Sequence, residues 1–337
     1  MNFIRPKLQN QNKILQGIGI PFSALLSVIF GMMILSFPLG AYVMFHSELG
    51  DDINYEFPIN QFEVIVAGIG FSIPADVEIG DAFIVLWCAY IIFFTIAMFG
   101  PKGGFLKTMS LFLSHGKLKI KTNYMVAVTK WFSILILVSA IINFVQEGFG
   151  VSTVPPAVQN DLIQFFYVSL APITEEIGFR VLLIGLPLFA LYSQRTSIKY
   201  FFKGLWSPSE NLHIHESRRA IILIIIVAVF FGLSHIISGD SWSNGKFAQA
   251  TASGIILGWV YFRFGLISAV LVHWATNYFI FSYVNFISQT SLISVEAAFS
   301  HSLINTMEII FLISGVLSIS ILVLNYYYSK RIPSLEV

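Results

Sequence analysis

Three short stretches hold residues able to do chemistry: "EEIGFR" (Glu175 to Arg180), "FGLSH" (Phe231 to His235) and "HWATN" (His273 to Asn277). All three sit among apolar residues. Glu176 and Arg180 are four apart, so on a helix they share a face and can pair as ions. His273 and Asn277 share a face for the same reason. Glu175 lies about 100° round the helix from Glu176 and can face a cavity that Glu176 does not face directly. A carboxylate with an imidazole can take a proton from water and return it to a leaving amine. A second imidazole and an amide can donate hydrogen bonds to the oxyanion that forms as water attacks a carbonyl. Alternatively, Glu175, His235 and His273 form a ligand set for Zn²⁺, with an open position for water. Either arrangement describes amide hydrolysis.

The residues that must position these groups are those of a membrane protein. The chain has 337 residues; 56% are hydrophobic and only 11% charged, against about 25% charged in a soluble domain. Apolar runs near the length of a bilayer crossing recur along it. The fold class expected is all-α, a polytopic membrane protein of about eight transmembrane helices. They are placed near Pro21–Phe45, Ala82–Phe99, Tyr124–Phe144, Asp161–Tyr192, Ala220–Ile237, Phe247–Phe262, Gly265–Tyr283 and Leu303–Tyr328. The first run is too long for a signal-peptide core and lacks a cleavage site. The sixth opens with small and polar residues, which suit a helix packed against neighbours.

Alternating eight spans puts nearly every lysine and arginine on one side of the membrane. Lys246 is on the other side, Arg180 is intramembrane, and Lys130 lies just inside the third span. By the positive-inside rule both termini face the cytoplasm. Three regions follow: an N-terminal membrane region over 1–150, a catalytic core over 151–290, and a C-terminal helix and tail over 291–337. The external loop from His46 to Asp81 is acidic, and its centre alternates weakly enough to pair as a hairpin or to stay disordered.

Charges at the bilayer centre cost about 2.5–3.5 kcal/mol each on insertion scales, so those in spans four, five and seven require a reason. At 1.5 Å rise per residue, His235 lies about 24 Å from the Arg218–Arg219 boundary, His273 about 15 Å from Arg263, and Glu175 about 26 Å from Tyr192. These depths fit one shared polar site. A structural reading exists for each residue alone: an ion pair for Glu176 and Arg180, interhelical hydrogen bonds for the histidines and Asn277. Structural roles rarely need so many such groups together. Other hydrolytic signatures are missing. H-E-x-x-H and G-x-S-x-G do not occur, "HIHESRR" has Arg219 where a second histidine would stand, and neither "EIGD" nor "ISGD" completes G-x-G-D. Cys88 is the only cysteine, which excludes disulfide frameworks and cysteine metal clusters. Nothing resembles a nucleic-acid module.

In order, the three stretches match E-E-x-x-x-R, F-x-x-x-H and H-x-x-x-N. On these residues the chain resembles the CPBP group of intramembrane proteases, which includes the type II CAAX prenyl endopeptidases and their abortive-infection and bacteriocin-processing relatives. The resemblance covers roughly Asp161 to Tyr283. It implies that Glu175 activates water with the help of His235, that His273 and Asn277 hold the oxyanion, and that Glu176, Arg180 and Phe231 support them. Both a metalloprotease and a metal-free glutamate mechanism are compatible with it. Val181 stands where many relatives have glycine after the arginine, away from the proposed chemistry.

The function expected is that of an intramembrane endopeptidase in the cell membrane, with membrane lipids and a peptide or protein as partners and no nucleic acid. Prenylated or otherwise lipid-anchored C-terminal tails are one substrate class. The alternatives are a transporter or proton relay, for which no internal repeat is found, and a non-catalytic immunity or binding protein on the same scaffold.

Overall fold

A computed structural model describes residues 5–46, 58–66, 69–100, 103–115, 123–153, 160–194, 197–214, 217–237 and 243–331. The chain begins with α1 (Arg5–Phe45), followed by strands β1 (Pro58–Val66) and β2 (Ile69–Glu78). Next come α2 (Ile79–Phe99), α3 (Phe105–His115), α4 (Tyr124–Gly148) and α5 (Asp161–Glu175). A π-helical segment, Glu176–Gly185, joins α5 to α6 (Leu186–Tyr192). Two short helices, α7 (Ile198–Trp206) and α8 (Pro208–Asn211), precede α9 (Ser217–Ile237), α10 (Lys246–Phe264) and α11 (Leu266–Trp274). A second π-helical segment, Ala275–Phe279, leads into α12 (Ile280–Ser291), then α13 (Val295–Phe299) and α14 (Ser302–Arg331).

This is an all-α multi-pass membrane protein with one two-stranded addition. The described part of the loop expected to be external pairs as an antiparallel hairpin, Ile59 opposite Val77 and Val66 opposite Ile69, with a register shift between Ile59 and Gln61. Its acidic beginning, from Ser47 to Phe57, lies outside the described residues.

All eight segments expected to cross the membrane are helical. Six helices among the described residues are long and apolar enough to do so: Gly17–Phe45, Ile79–Phe99, Tyr124–Gly148, Ser217–Ile237, Leu266–Ser291 and Ser302–Tyr327. The fourth expected span, which carries the charged motif of Glu175, Glu176 and Arg180, falls outside this set. The sixth, α10, falls outside because of its small and polar N-terminal half. Small residues suit α10 to the close packing it makes on α9. A Cβ on Gly254 would meet Ala228 Cα at 3.0 Å, and one on Gly258 would meet Ile224 Cγ2 at 2.8 Å. The turn from α10 into α11 depends on Gly265, whose φ of 85° disfavours any side chain and whose Cα faces the Trp206 carbonyl.

Aromatic residues fix the seventh span against the first two. Trp274 stacks on Phe37 at 5.4 Å and meets Phe94 edge-on at 5.0 Å. Tyr278 Oη accepts a hydrogen bond from Trp87 Nε1 (2.8 Å) and donates one to the Ser36 carbonyl (3.1 Å). Tyr90 Oη donates to the Ser169 carbonyl of α5 (2.6 Å). In an apolar surrounding, where water does not compete, such bonds set the rotation of each helix and therefore which side chains point inward.

Candidate active site

Glu175 ends α5 and Glu176 opens the first π segment, whose wider turn is closed by the Leu186 N–H bonding to the Val181 carbonyl five residues back. Pro187 follows directly. It has no N–H to return to the preceding turn and its ring crowds the carbonyl there, so a widened turn just before it is a local accommodation. His273 lies one residue before the end of α11, and Asn277 lies within the second π segment. Two of the three motifs therefore sit where an α-helix opens into a π-helix, a feature common at functional sites.

Glu176 is the hub. Its side chain is fully buried, with Oε1 2.9 Å from His273 Nδ1 and Oε2 3.1 Å from Arg180 Nε. The second contact is an ion pair without hydrogen-bond alignment, since neither atom has a hydrogen-bond partner among the described residues. The Arg180 side chain is 1% exposed. Its guanidinium carbon lies 4.4 Å from the centre of the Phe231 ring, a cation–π contact worth up to about 2 kcal/mol when desolvated. Two opposite charges and an aromatic face thus compensate one another where a single buried ion would be prohibitive.

Phe231 also serves the fifth span. Its carbonyl accepts from His235 Nδ1 at 2.8 Å, so a neutral His235 carries its proton there and has a lone pair on Nε2. The Phe231 ring meets His235 edge-on at 4.6 Å and His273 at 6.4 Å. Glu175 points elsewhere than Glu176, as the helical period requires. Its Oε2 lies 3.8 Å from His273 Nε2, beyond a direct hydrogen bond but close enough for both atoms to touch one reacting oxygen. Its side chain is 19% exposed, with Oε2 itself buried. His235 interacts electrostatically with both Glu175 and His273. Thr276 Oγ1 donates to the His273 carbonyl (2.7 Å) and to Asn277 Oδ1 (3.3 Å), which makes the amide nitrogen the donor end of Asn277.

The structure therefore brings together Glu175, Glu176, Arg180, Phe231, His235 and His273 from spans four, five and seven, with Asn277 a turn beyond His273. Among the described residues no group of three His, Cys, Asp or Glu side chains that could hold a metal ion is found. Both Nδ1 atoms are engaged, one by Glu176 and one by a backbone carbonyl, which leaves Nε2 as the remaining ring nitrogen of each histidine, and Glu176 turns toward Arg180.

Two contributors did not stand out in the sequence. Lys246, the first residue of α10, interacts electrostatically with both Glu175 and His235; its signal was that it is the lone basic residue on the side expected to be external. Thr276 was hidden inside "HWATN".

Comparison with known proteins agrees with this geometry. Residues 159–279 match the family model described as Type II CAAX prenyl endopeptidase Rce1-like. No curated protein and no solved structure matches the chain. The matched residues begin just before α5 and end with the second π segment, and so enclose all three motifs. Over residues 159–279 the chain is thus similar to the type II CAAX prenyl endopeptidase Rce1-like family.

Proposed function

We propose that this protein is an intramembrane endopeptidase that hydrolyses peptide bonds of membrane-associated substrates, with 151–290 as its catalytic core. The observation that carries the reading is the placement of a partly exposed carboxylate, Glu175, with no hydrogen-bond partner on Oε2 among the described residues, 3.8 Å from an imidazole that a buried carboxylate holds from behind. Glu175 takes the proton of the attacking water, assisted by the Nε2 lone pair of His235, and passes it to the leaving amine. His273 Nε2 and the Asn277 amide donate to the oxyanion. Because Nδ1 of His273 already donates to Glu176, donation from Nε2 requires the doubly protonated ring. The carboxylates of Glu175 and Glu176 flank it in that state. Arg180 and Phe231 act through Glu176 and His235, as positioning residues. The family's name favours substrates with lipid-modified C-terminal tails, and a site within the bilayer suits a lipid-anchored chain.

Glu175→Gln removes the proton acceptor and keeps the shape. In reconstituted vesicles supplied with a lipidated peptide, this variant is expected to lose cleavage while its thermal unfolding stays close to wild type. Wild-type turnover in a folded Glu175→Gln protein would overturn the assignment.

A further inference from the structure

Helix α7 lies between the fourth and fifth spans and plays no part in the chemistry above. One of its faces is docked. Gly204 is buried where a Cβ would meet Phe189 at 2.9 Å and Leu212 at 3.1 Å, and the Leu205 carbonyl accepts from Tyr261 Oη of α10 at 2.6 Å. Phe201 meets Phe189 edge-on at 5.1 Å. The opposite face is uncovered and has two stripes. Ile198, Phe202 and Trp206, each four apart, are 76%, 64% and 47% exposed. Beside them Lys199 and Lys203, also four apart, are exposed. After α8, α9 opens with Arg218 and Arg219, both exposed.

A docked, nine-residue helix has no need of an outward apolar stripe in water. Three large apolar residues beside two lysines, with a tryptophan at one end, match the composition of helices that lie in the headgroup layer. The position fits as well, because the chain leaves one span at Tyr192 and enters another at Ser217. We infer that α7 is a docking site for anionic phospholipid: Ile198, Phe202 and Trp206 enter the acyl-chain boundary while Lys199 and Lys203 bind headgroup phosphates. The occupant is a lipid of the leaflet and not a free anion, because the apolar stripe runs parallel to the basic one and only a lipid presents both chemistries together. The inference is independent of the peptidase reading. Since α7 packs on the first π segment and on α6, the lipid also braces the helix that carries Glu176 and Arg180.

The test uses the full chain in detergent micelles. Thermal unfolding is followed with phosphatidylglycerol, phosphatidylcholine or inorganic phosphate added, and lipid affinity is taken from the titrations. Phosphatidylglycerol is expected to raise the midpoint more than phosphatidylcholine, and inorganic phosphate to leave it unmoved. Replacing both lysines (Lys199→Gln with Lys203→Gln) should weaken phosphatidylglycerol binding about 30-fold, as expected for two lysines at an anionic surface. Replacing both with arginine should retain binding. All four substitutions are on exposed positions, so folding is preserved. Equal stabilisation by the two lipids, full retention of the difference in the glutamine variant, or an equal shift from inorganic phosphate would each overturn the inference. A spin label on Phe202→Cys in a Cys88→Ser background gives a second reading. It should be accessible to oxygen and shielded from aqueous relaxants in phosphatidylglycerol bilayers, and aqueous exposure there would also overturn it.

Discussion

At the scale of single residues, Glu176 matters as much as the carboxylate beside it. It joins Arg180 and His273, and both are nearly inaccessible to solvent. Glu176→Ala leaves a buried guanidinium with no counter-charge, a change that costs about 3–5 kcal/mol in buried pairs. A pronounced fall in the thermal midpoint is expected. The double variant Glu176→Leu with Arg180→Met removes both charges and should recover much of that loss while remaining inactive, because His273 has lost the partner of Nδ1. If the double variant is no more stable than the single, the two residues are not an ion pair. Asn277 makes a different prediction. It sits in the half-exposed part of the site and supports no buried charge, so Asn277→Ala should unfold like wild type yet lower kcat by about 10²–10³, the usual cost of one oxyanion donor. An effect confined to KM would assign it to substrate binding instead.

Helix geometry decides whether those side chains meet. The α9–α10 pair is the tightest seam near the site. A Cβ on Gly232, next to Phe231, would fall against Thr251 Oγ1 and within 2.9 Å of the Phe247 carbonyl. Backbone cannot move aside as a flexible side chain can, so Gly232→Val should force α9 away from α10. Overpacking of this kind costs about 1–3 kcal/mol, and the displacement should carry Phe231 off Arg180 and His235 away from Glu175. Loss of cleavage with only a modest drop in stability is the expected result. The four-residue spacing of Glu176 with Arg180, and the polar groups on spans four, five and seven, were legible in the sequence because charges among apolar residues are costly and therefore conspicuous. The π segments were not. Spacing assigned these helices a uniform 3.6-residue turn, and only Pro187 hinted at a wider one. Residue types alone place Glu175, His235 and His273 together; that the Phe231 carbonyl and Glu176 engage the two Nδ1 atoms and so orient both rings is visible only in the structure.

For the whole molecule, the argument is about sidedness. A sequence records which loops are basic, and that information survives whatever the helices do inside the bilayer. Lysines and arginines gather in or beside the connections after α2, α3 and α6 and in the last turn of α10, where Arg263 stands, whereas the first residue of α10 is the lone Lys246. Translocating a basic loop is opposed by the membrane potential and by anionic lipids on the cytoplasmic face. Exposed Lys199 should therefore lie inside and exposed Asn244 outside. In a Cys88→Ser background on right-side-out vesicles, a membrane-impermeant maleimide is expected to label Asn244→Cys at once and Lys199→Cys only after permeabilisation. The reversed pattern would invert the protein in the membrane. The same measurement locates the rim of the site. Lys246 follows Asn244 by two residues and interacts electrostatically with Glu175 and His235, so the side on which Asn244 is labelled is the side nearest to this lysine neighbour of Glu175.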